Sequence, residues 1–276
     1  MWVIKPFDNL PFLSDEPAVS SNYSCESPIS WRGDGKFFAT LSKEHDALPL
    51  RKKLKVWERD SGALHSVSEP VGFMGAVLDW MPSGAKIASV YDRREEKKSP
   101  SIVFFEKNGL QRSSFGVNDN TDVKVDSLKW NCNSELLAFV VRGEDHESIK
   151  IWFFNNNHWY LKQEIRYLKQ DGVKFIWDPT KPLQLISWTV DGQIMIYNFM
   201  WITAVMDNST AFVIDDSKIL VTPLSVSLIP PPMYLFSLKF PSAVRNMAFF
   251  SHGSKHNLAT FLSDGRLCIV ELPEID

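Results

Sequence analysis

SLKWNCNSELLAFVVRGEDHESIKIWFFNNNHWYLKQEIRYL, residues 127–168, holds one full copy of the pattern that decides the fold. A short apolar strand ends on Trp130; four positions on, Ser134 closes a tight turn, and eight positions on, Ala138 sets a small side chain into the next strand. A second apolar run, IKIW (149–152), and a looser strand, WYLKQEIRYL (159–168), complete a unit of four short strands. Val, Ile, Phe and Trp dominate these runs, as a pleated and half-buried surface demands.

The same grammar recurs along the chain. Trp31 in ISW, Trp80 in VLDW and Trp177 in FIW join Trp130 at spacings of 49, 50 and 47 residues. Gly35 and Gly84 take the turn position, and Ala39 and Ala88 the small-residue position; the fourth copy departs, with Lys181 and Leu185 there. A fifth copy, NMAFFSHGSKHNLATFL (246–262), has Phe250 in place of Trp and Ala259 one residue late. Second runs follow as LKVW (54–57), SIVFF (101–105), IMIY (194–197) and LCIV (267–270). Ser61-Gly62, Asn108-Gly109, Asp191-Gly192 and Asp264-Gly265 are hairpin turn pairs, which reach positive φ at little cost.

A lone four-stranded sheet of this kind is apolar on both faces. Stacking copies face to face around an axis buries both, with Trp filling the space between sheets and Ala letting the neighbour approach. The expected fold is therefore all-β: an incomplete β-propeller of degenerate, WD40-like, four-stranded antiparallel blades. The expected divisions are an irregular N-terminal segment (1–28), four blades (29–200) and degenerate blade material (201–276), the last a worn blade or the seam to a second propeller. Charged insertions, Ser42–Lys53 with RKK at 51–53 and Tyr91–Pro100 with DRREEKK at 92–98, fall between second and third strands and read as solvated rim loops.

Composition narrows the function. Among 276 residues, 44% are apolar and 13% aromatic, including 10 Trp, and the net charge of −3 gives no bulk reason for nucleic acid or an acidic membrane as main partner. Cys25, Cys132 and Cys268 are an odd number, far apart, and read as buried free thiols of a reducing compartment: the cytoplasm, with the nucleus as a second location. Ile219 to Leu238 carries no charge and imitates a membrane span, but Pro223, Pro230, Pro231 and Pro232 would leave backbone carbonyls unpaired in lipid. It reads as short strands joined by a polyproline turn in a chain that does not enter membranes.

No residue is assigned to catalysis, cofactor or metal. His252 and His256 are four apart, yet Gly253 and Ser254 between them place the pair in a strand-linking turn. Glu144-Asp145-His146-Glu147 reads as a solvated loop before IKIW, and Arg51-Lys52-Lys53 as a solubilising rim rather than an RNA contact. No phosphate-cradling glycine loop or nucleophile elbow is present.

Specific strings go beyond the shared fold. ISWRGDGKFFA (29–39), IVFFEKNGL (102–110), HWYLKQ (158–163), WDP (177–179) and PPPM (230–233) resemble the family of Elongator complex subunit 1, from about Ser27 to the C-terminus. That complex adds a carboxymethyl-type group to wobble uridines of transfer RNA, and its catalysis belongs to a different chain with an iron–sulfur cluster. Subunit 1 is a scaffold of two propellers followed by a helical solenoid. The resemblance implies a non-catalytic scaffold segment whose partners are the other Elongator subunits. It also implies that the family's helical dimerisation part and basic RNA-contacting tail lie outside this stretch, and it favours a seam in the 200–240 region. The alternatives are a generic propeller adaptor and a propeller hydrolase with carboxylates converging at the axis.

Overall fold

The computed structural model describes residues 28–43, 51–92, 99–117, 123–201, 210–226, 228–229, 232–252 and 255–272. These form six antiparallel sheets, none closed on itself. The first holds β1 (Ile29–Trp31), β2 (Phe37–Lys43), β3 (Arg51–Glu58) and β4 (Leu64–Val67), with the two-residue β5 (Val71–Gly72) on β3. The second is β6 (Met74–Trp80), β7 (Ile87–Tyr91), β8 (Ser101–Phe105) and β9 (Gln111–Gly116). The third is β10 (Lys124–Trp130), β11 (Leu136–Arg142), β12 (His146–Asn155) and β13 (His158–Leu168). Three-stranded sheets follow: β14 (Lys174–Trp177), β15 (Gln184–Trp188) and β16 (Ile194–Asn198); β17 (Thr210–Asp215), β18 (Lys218–Pro223) and β19 (Phe236–Lys239); β20 (Val244–His252), β21 (Lys255–Leu262) and β22 (Leu267–Glu271).

The propeller grammar is visible in the cores. Ala39, Leu41, Leu54 and Val56 of the first sheet pack against Leu78, Trp80, Ile87, Val103 and Phe105 of the second. Ala88, Val90, Ile102 and Phe104 then meet Leu128, Trp130, Leu137, Phe139 and Trp159 of the third. Ala138, Val140, Ile149 and Ile151 in turn meet Phe175, Trp177 and Leu185 of the fourth. Each of the first three sheets thus has an Ala face and a Trp face, and every one of these contacts joins the Ala face of one sheet to the Trp face of the next. Trp80, Trp130 and Trp177 are 2%, 5% and 8% exposed, whereas Trp31 is 50% exposed because no described sheet covers its side. Trp31 lies instead on its own sheet's ladder, with ring centroids of 5.0 Å to Phe38 and 6.3 Å from Phe38 to Trp57. Gly35 and Gly84 (φ +66° and +82°) and Ser134 (φ +69°) make the turn after Trp, where the left-handed backbone favours glycine.

Several expectations need correction. The fourth sheet has three strands among the described residues, not four. Its turn is also one residue longer: Trp31, Trp80 and Trp130 pair with Phe38, Ile87 and Leu137, seven positions on, but Trp177 pairs with Leu185. A one-residue slip turns side chains to the opposite face. Leu185 therefore joins the Trp face, and Ile186, paired with Ile176 and Ile196, holds the small-residue place. In the sixth sheet Phe250 is 43% exposed, and Phe249 faces the fifth sheet at 4.3 Å from Phe212. RKK 51–53 lies within β3 rather than in a rim loop, its backbone pairing with β2 and β5, and Lys52 Nζ donates to the Gly75 carbonyl at 2.9 Å. The 211–224 hairpin forms as expected, with Asp216 at φ +56° in its turn, and the Ile219–Leu238 stretch resolves into β18 and β19. No described helix is long and apolar enough to cross a membrane. The irregular segment 1–28 (all but Pro28), Cys25, most of DRREEKK and residues 44–50 lie outside the described residues.

Strand β13, the outer strand of the third sheet, anchors the 210–272 part. Lys162 Nζ donates to the Ile214 carbonyl (2.8 Å), Gln163 Nε2 to the Arg245 carbonyl (3.0 Å), and His158 Nε2 lies 2.9 Å from Asp215 Oδ2. Glu164 is buried and accepts the Ser263 hydroxyl at 2.6 Å, with Arg166 Nη2 at 3.3 Å and the buried Lys150 Nζ at 3.9 Å. Burial pushes the Glu164 carboxyl upward, but Lys150, Ser263 and Arg166 together outweigh it and hold the pKa below the ordinary 4.5.

Two outcomes are expected in denaturant titrations. Trp130→Ala should cost about 3–5 kcal/mol by opening a cavity between sheets. Trp31→Ala should cost well under half of that, and so should Trp130→Phe, whose lost indole N–H has no acceptor among the described residues; equal losses at Trp31 and Trp130 would contradict the inter-sheet role. Glu164→Gln should cost about 3–5 kcal/mol at pH 7, since it removes the buried negative charge that faces both Lys150 and Arg166. The depressed carboxylate contributes stability above its unfolded pKa and loses it as pH falls through the lower folded value. The gap between wild type and Glu164→Gln should therefore narrow below about pH 4, and a gap constant down to pH 2 would refute the assignment.

Candidate interaction site

The first strands of successive sheets run side by side, so the residues just before each Trp, Ser30, Asp79, Lys129 and Ile176, share the inner side of the stack. Asp79 Oδ1 accepts from Ser30 Oγ (3.2 Å) and Lys129 Nζ (2.8 Å), and its Oδ2 accepts the Trp130 N–H (2.9 Å). Burial raises its pKa despite these three partners. Asp79 is thus a staple across three sheets, with both oxygens spent and no second carboxylate in that set of four positions. The geometry for water activation by a carboxylate pair is not assembled there.

A second polar node ties the third sheet to the fourth. Arg142 Nε donates to Asp126 Oδ2 (2.8 Å), its Nη1 pairs with Glu147, and its Nη2 donates to the Val173 carbonyl (3.1 Å). Glu147 accepts the Val173 N–H at 2.8 Å and is 4% exposed. This corrects the solvated-loop reading of Glu144–Glu147: Glu144 and Asp145 are exposed, but Glu147 begins the buried run of β12. Burial raises the Asp126 carboxyl, yet Arg142 and Lys124 prevail and hold it below the ordinary carboxylate range.

The other flagged residues do not converge. His252 ends β20 and His256 lies in β21, so neither falls in a described turn, and no group of three metal-ligating side chains occurs among the described residues. Cys132 and Cys268 are free and half-buried, not buried as expected, because each lies near a sheet margin.

The feature that the sequence reading missed lies where β13 meets the later sheets. A cleft of about 220 Å³ opens between β13, the Phe199–Trp201 run after β16, and β17. Its walls include Phe199, Met200, Trp201, Phe212 and Met247, with Lys162 and Arg245 at its polar side. Burial lowers the Lys162 pKa to about 8, against an upward pull from the Asp215 charge. The available signal was the polar run Lys162-Gln163-Glu164 interrupting an otherwise apolar strand, which marks an edge with partners of its own.

Comparison with known proteins agrees with this architecture. The family profile described as "ELP1 first N-terminal beta-propeller" matches residues 8–180, and "ELP1 N-terminal second beta-propeller" matches residues 213–275. Elongator complex protein 1 of Arabidopsis thaliana is 60% identical over 247 residues, 89% of this chain and 19% of the relative. Those of Saccharomyces cerevisiae and Mus musculus are 36% and 35% identical, over 87% and 81% of this chain and 18% of each relative. The chain spans about a fifth of the length of these relatives. With a propeller profile matching more than half of its residues, the chain belongs to the family of Elongator complex protein 1, in that protein's N-terminal β-propeller region.

Proposed function

We propose that this chain is a non-catalytic scaffold segment of the Elongator complex that serves wobble-uridine modification of transfer RNA through protein–protein contacts. The observation that carries the proposal is the 60% identity to an Elongator complex protein 1 along 89% of the chain. The physics is consistent with a scaffold: Asp79, Glu147 and Glu164, buried carboxylates of the described residues, are each engaged in holding one sheet to another. Rigid sheets then present loops and edges as docking surfaces, with affinity concentrated in a few aromatic anchors.

In the same reading, residues 29–200 are four blades of a first propeller, and 201–276 are the seam and the opening of a second. Support comes from the two profile matches, which leave residues 181–212 between them, and from the Trp-less fifth sheet that follows. The proposed location is the cytoplasm, with the nucleus as a second, and direct transfer-RNA contact is not part of the proposed role.

The test is co-purification of the tagged chain with the other core Elongator subunits. Enrichment well above that given by an unrelated propeller of similar size is expected. Recovery no better than that control would overturn the scaffold assignment and leave a generic adaptor.

A further inference from the structure

The cleft beside β13 is preformed by contacts within the chain. Trp201 stands edge-on to Phe153 with ring centroids 5.0 Å apart, and Phe212 leans on Phe249 at 4.3 Å, so two of its walls are fixed before anything binds. Its volume of about 220 Å³ lies below the roughly 300–1,000 Å³ typical of sites that enclose a whole small molecule, and suits a single large side chain. Its lining is mainly apolar, as desolvated anchor pockets at interfaces are.

Charge identifies what flanks that side chain. Lys162 spends one ammonium donor on the Ile214 carbonyl and lies 4.6 Å from the Tyr160 ring centroid; the nearby Asp215 charge acts on it as well, while Asp215 Oδ2 lies 2.9 Å from His158 Nε2. Arg245 lies over the Phe261 ring, 5.7 Å from its centroid, and has no carboxylate partner among the described residues. Two cations beside an apolar mouth complement carboxylates on the incoming segment.

We propose that this cleft is a docking pocket for one aromatic side chain carried on an acidic segment of a partner protein. The proposal rests on the scaffold reading and deepens it by giving the partner's chemistry at one surface. Phe199, Trp201, Phe212 and Met247 enclose the ring, while Lys162 and Arg245 hold the flanking carboxylates.

The test uses the full chain with its methionine methyls labelled with carbon-13, Met200 and Met247 reporting from the cleft and assigned by Met→Leu variants. The probes are three blocked pentapeptides: Asp-Glu-Phe-Asp-Glu, the same with Ala for Phe, and Lys-Lys-Phe-Lys-Lys. The acidic Phe peptide should shift the Met200 and Met247 signals, and the other two should bind at least tenfold more weakly. Lys162→Met with Arg245→Gln should erase the preference for acidic over basic peptide, and Val213→Phe, which fills the cleft, should abolish the shifts. Should Val213→Phe unfold, seen as collapse of all methionine signals, the charge variant decides. Shifts absent with every peptide at millimolar concentration would overturn the pocket, and so would equal binding of Phe and Ala peptides or of acidic and basic ones. Co-purification with Elongator subunits in the face of such a result would leave the scaffold reading standing and remove only the pocket.

Discussion

The structure depends on one constraint: a sheet that is apolar on both faces needs two neighbours. Here the two faces are not equivalent. One carries a tryptophan at the end of the first strand, the other a small residue near the start of the second. The contacts through the first four sheets always join unlike faces, Ala39 toward Trp80, Ala88 toward Trp130 and Ala138 toward Trp177. A large flat ring against a small side chain brings the sheets close without a void, the condition under which dispersion contacts and water exclusion both contribute fully. Chain direction and blade order follow from that asymmetry, since reversing one sheet would oppose Trp to Trp.

Polar groups follow the same architecture. Asp79 spans three sheets on the inner side, Arg142 and Glu147 close the third sheet onto the fourth, and Glu164 holds the sixth sheet to β13. Asp79 takes its partners from the two flanking sheets, and the others combine partners in their own sheet with at least one contact beyond it, Val173 for Arg142 and Glu147 and Ser263 for Glu164, so each helps to fix how two parts sit together. A buried charge network of this kind contributes more to a single arrangement than to raw stability, because desolvation offsets much of its Coulombic gain. That is the behaviour the proposed scaffold role requires.

How much of this was legible in the sequence follows from what periodicity encodes. Strand ends at Trp80 and Trp130, positive-φ turns at Gly35 and Gly84 and buried Ala88 and Ala138 were all readable, because local turn chemistry and a fixed spacing determine them. The slip in the fourth unit was not. Counting eight from Trp177 gives Leu185, but Asp178 Oδ1 accepts the N–H groups of Thr180 and Lys181 and builds a turn one residue longer, which exchanges the roles of Leu185 and Ile186. Phe250 and Phe249 exchanged roles as well: Phe249 pairs with Leu258, nine positions on, and Ala248 with Ala259. Burial of Glu147 was illegible for a different reason, since its partners Arg142 and Val173 come together only once two sheets have stacked.

The cleft sits where the grammar stops. Beyond Trp177 the fourth sheet offers Ile186 rather than Ala to whatever lies outside it, and the fifth sheet has no Trp to offer in return. Those faces cannot mate by the rule that joins the first four sheets. The 210–272 part docks instead on the edge of β13 through Lys162, Gln163 and Glu164, an arrangement held by hydrogen bonds and ion pairs rather than face-to-face packing. Edge docking leaves a gap beside the strand, which Phe199, Trp201, Phe212 and Met247 line without filling. Local departures from an otherwise consistent pattern persist where something compensates for them. Where the first four sheets meet, their facing surfaces are occupied by one another, whereas the irregular joint leaves an apolar cleft beside Lys162 and Arg245, and so has surface to gain from a partner.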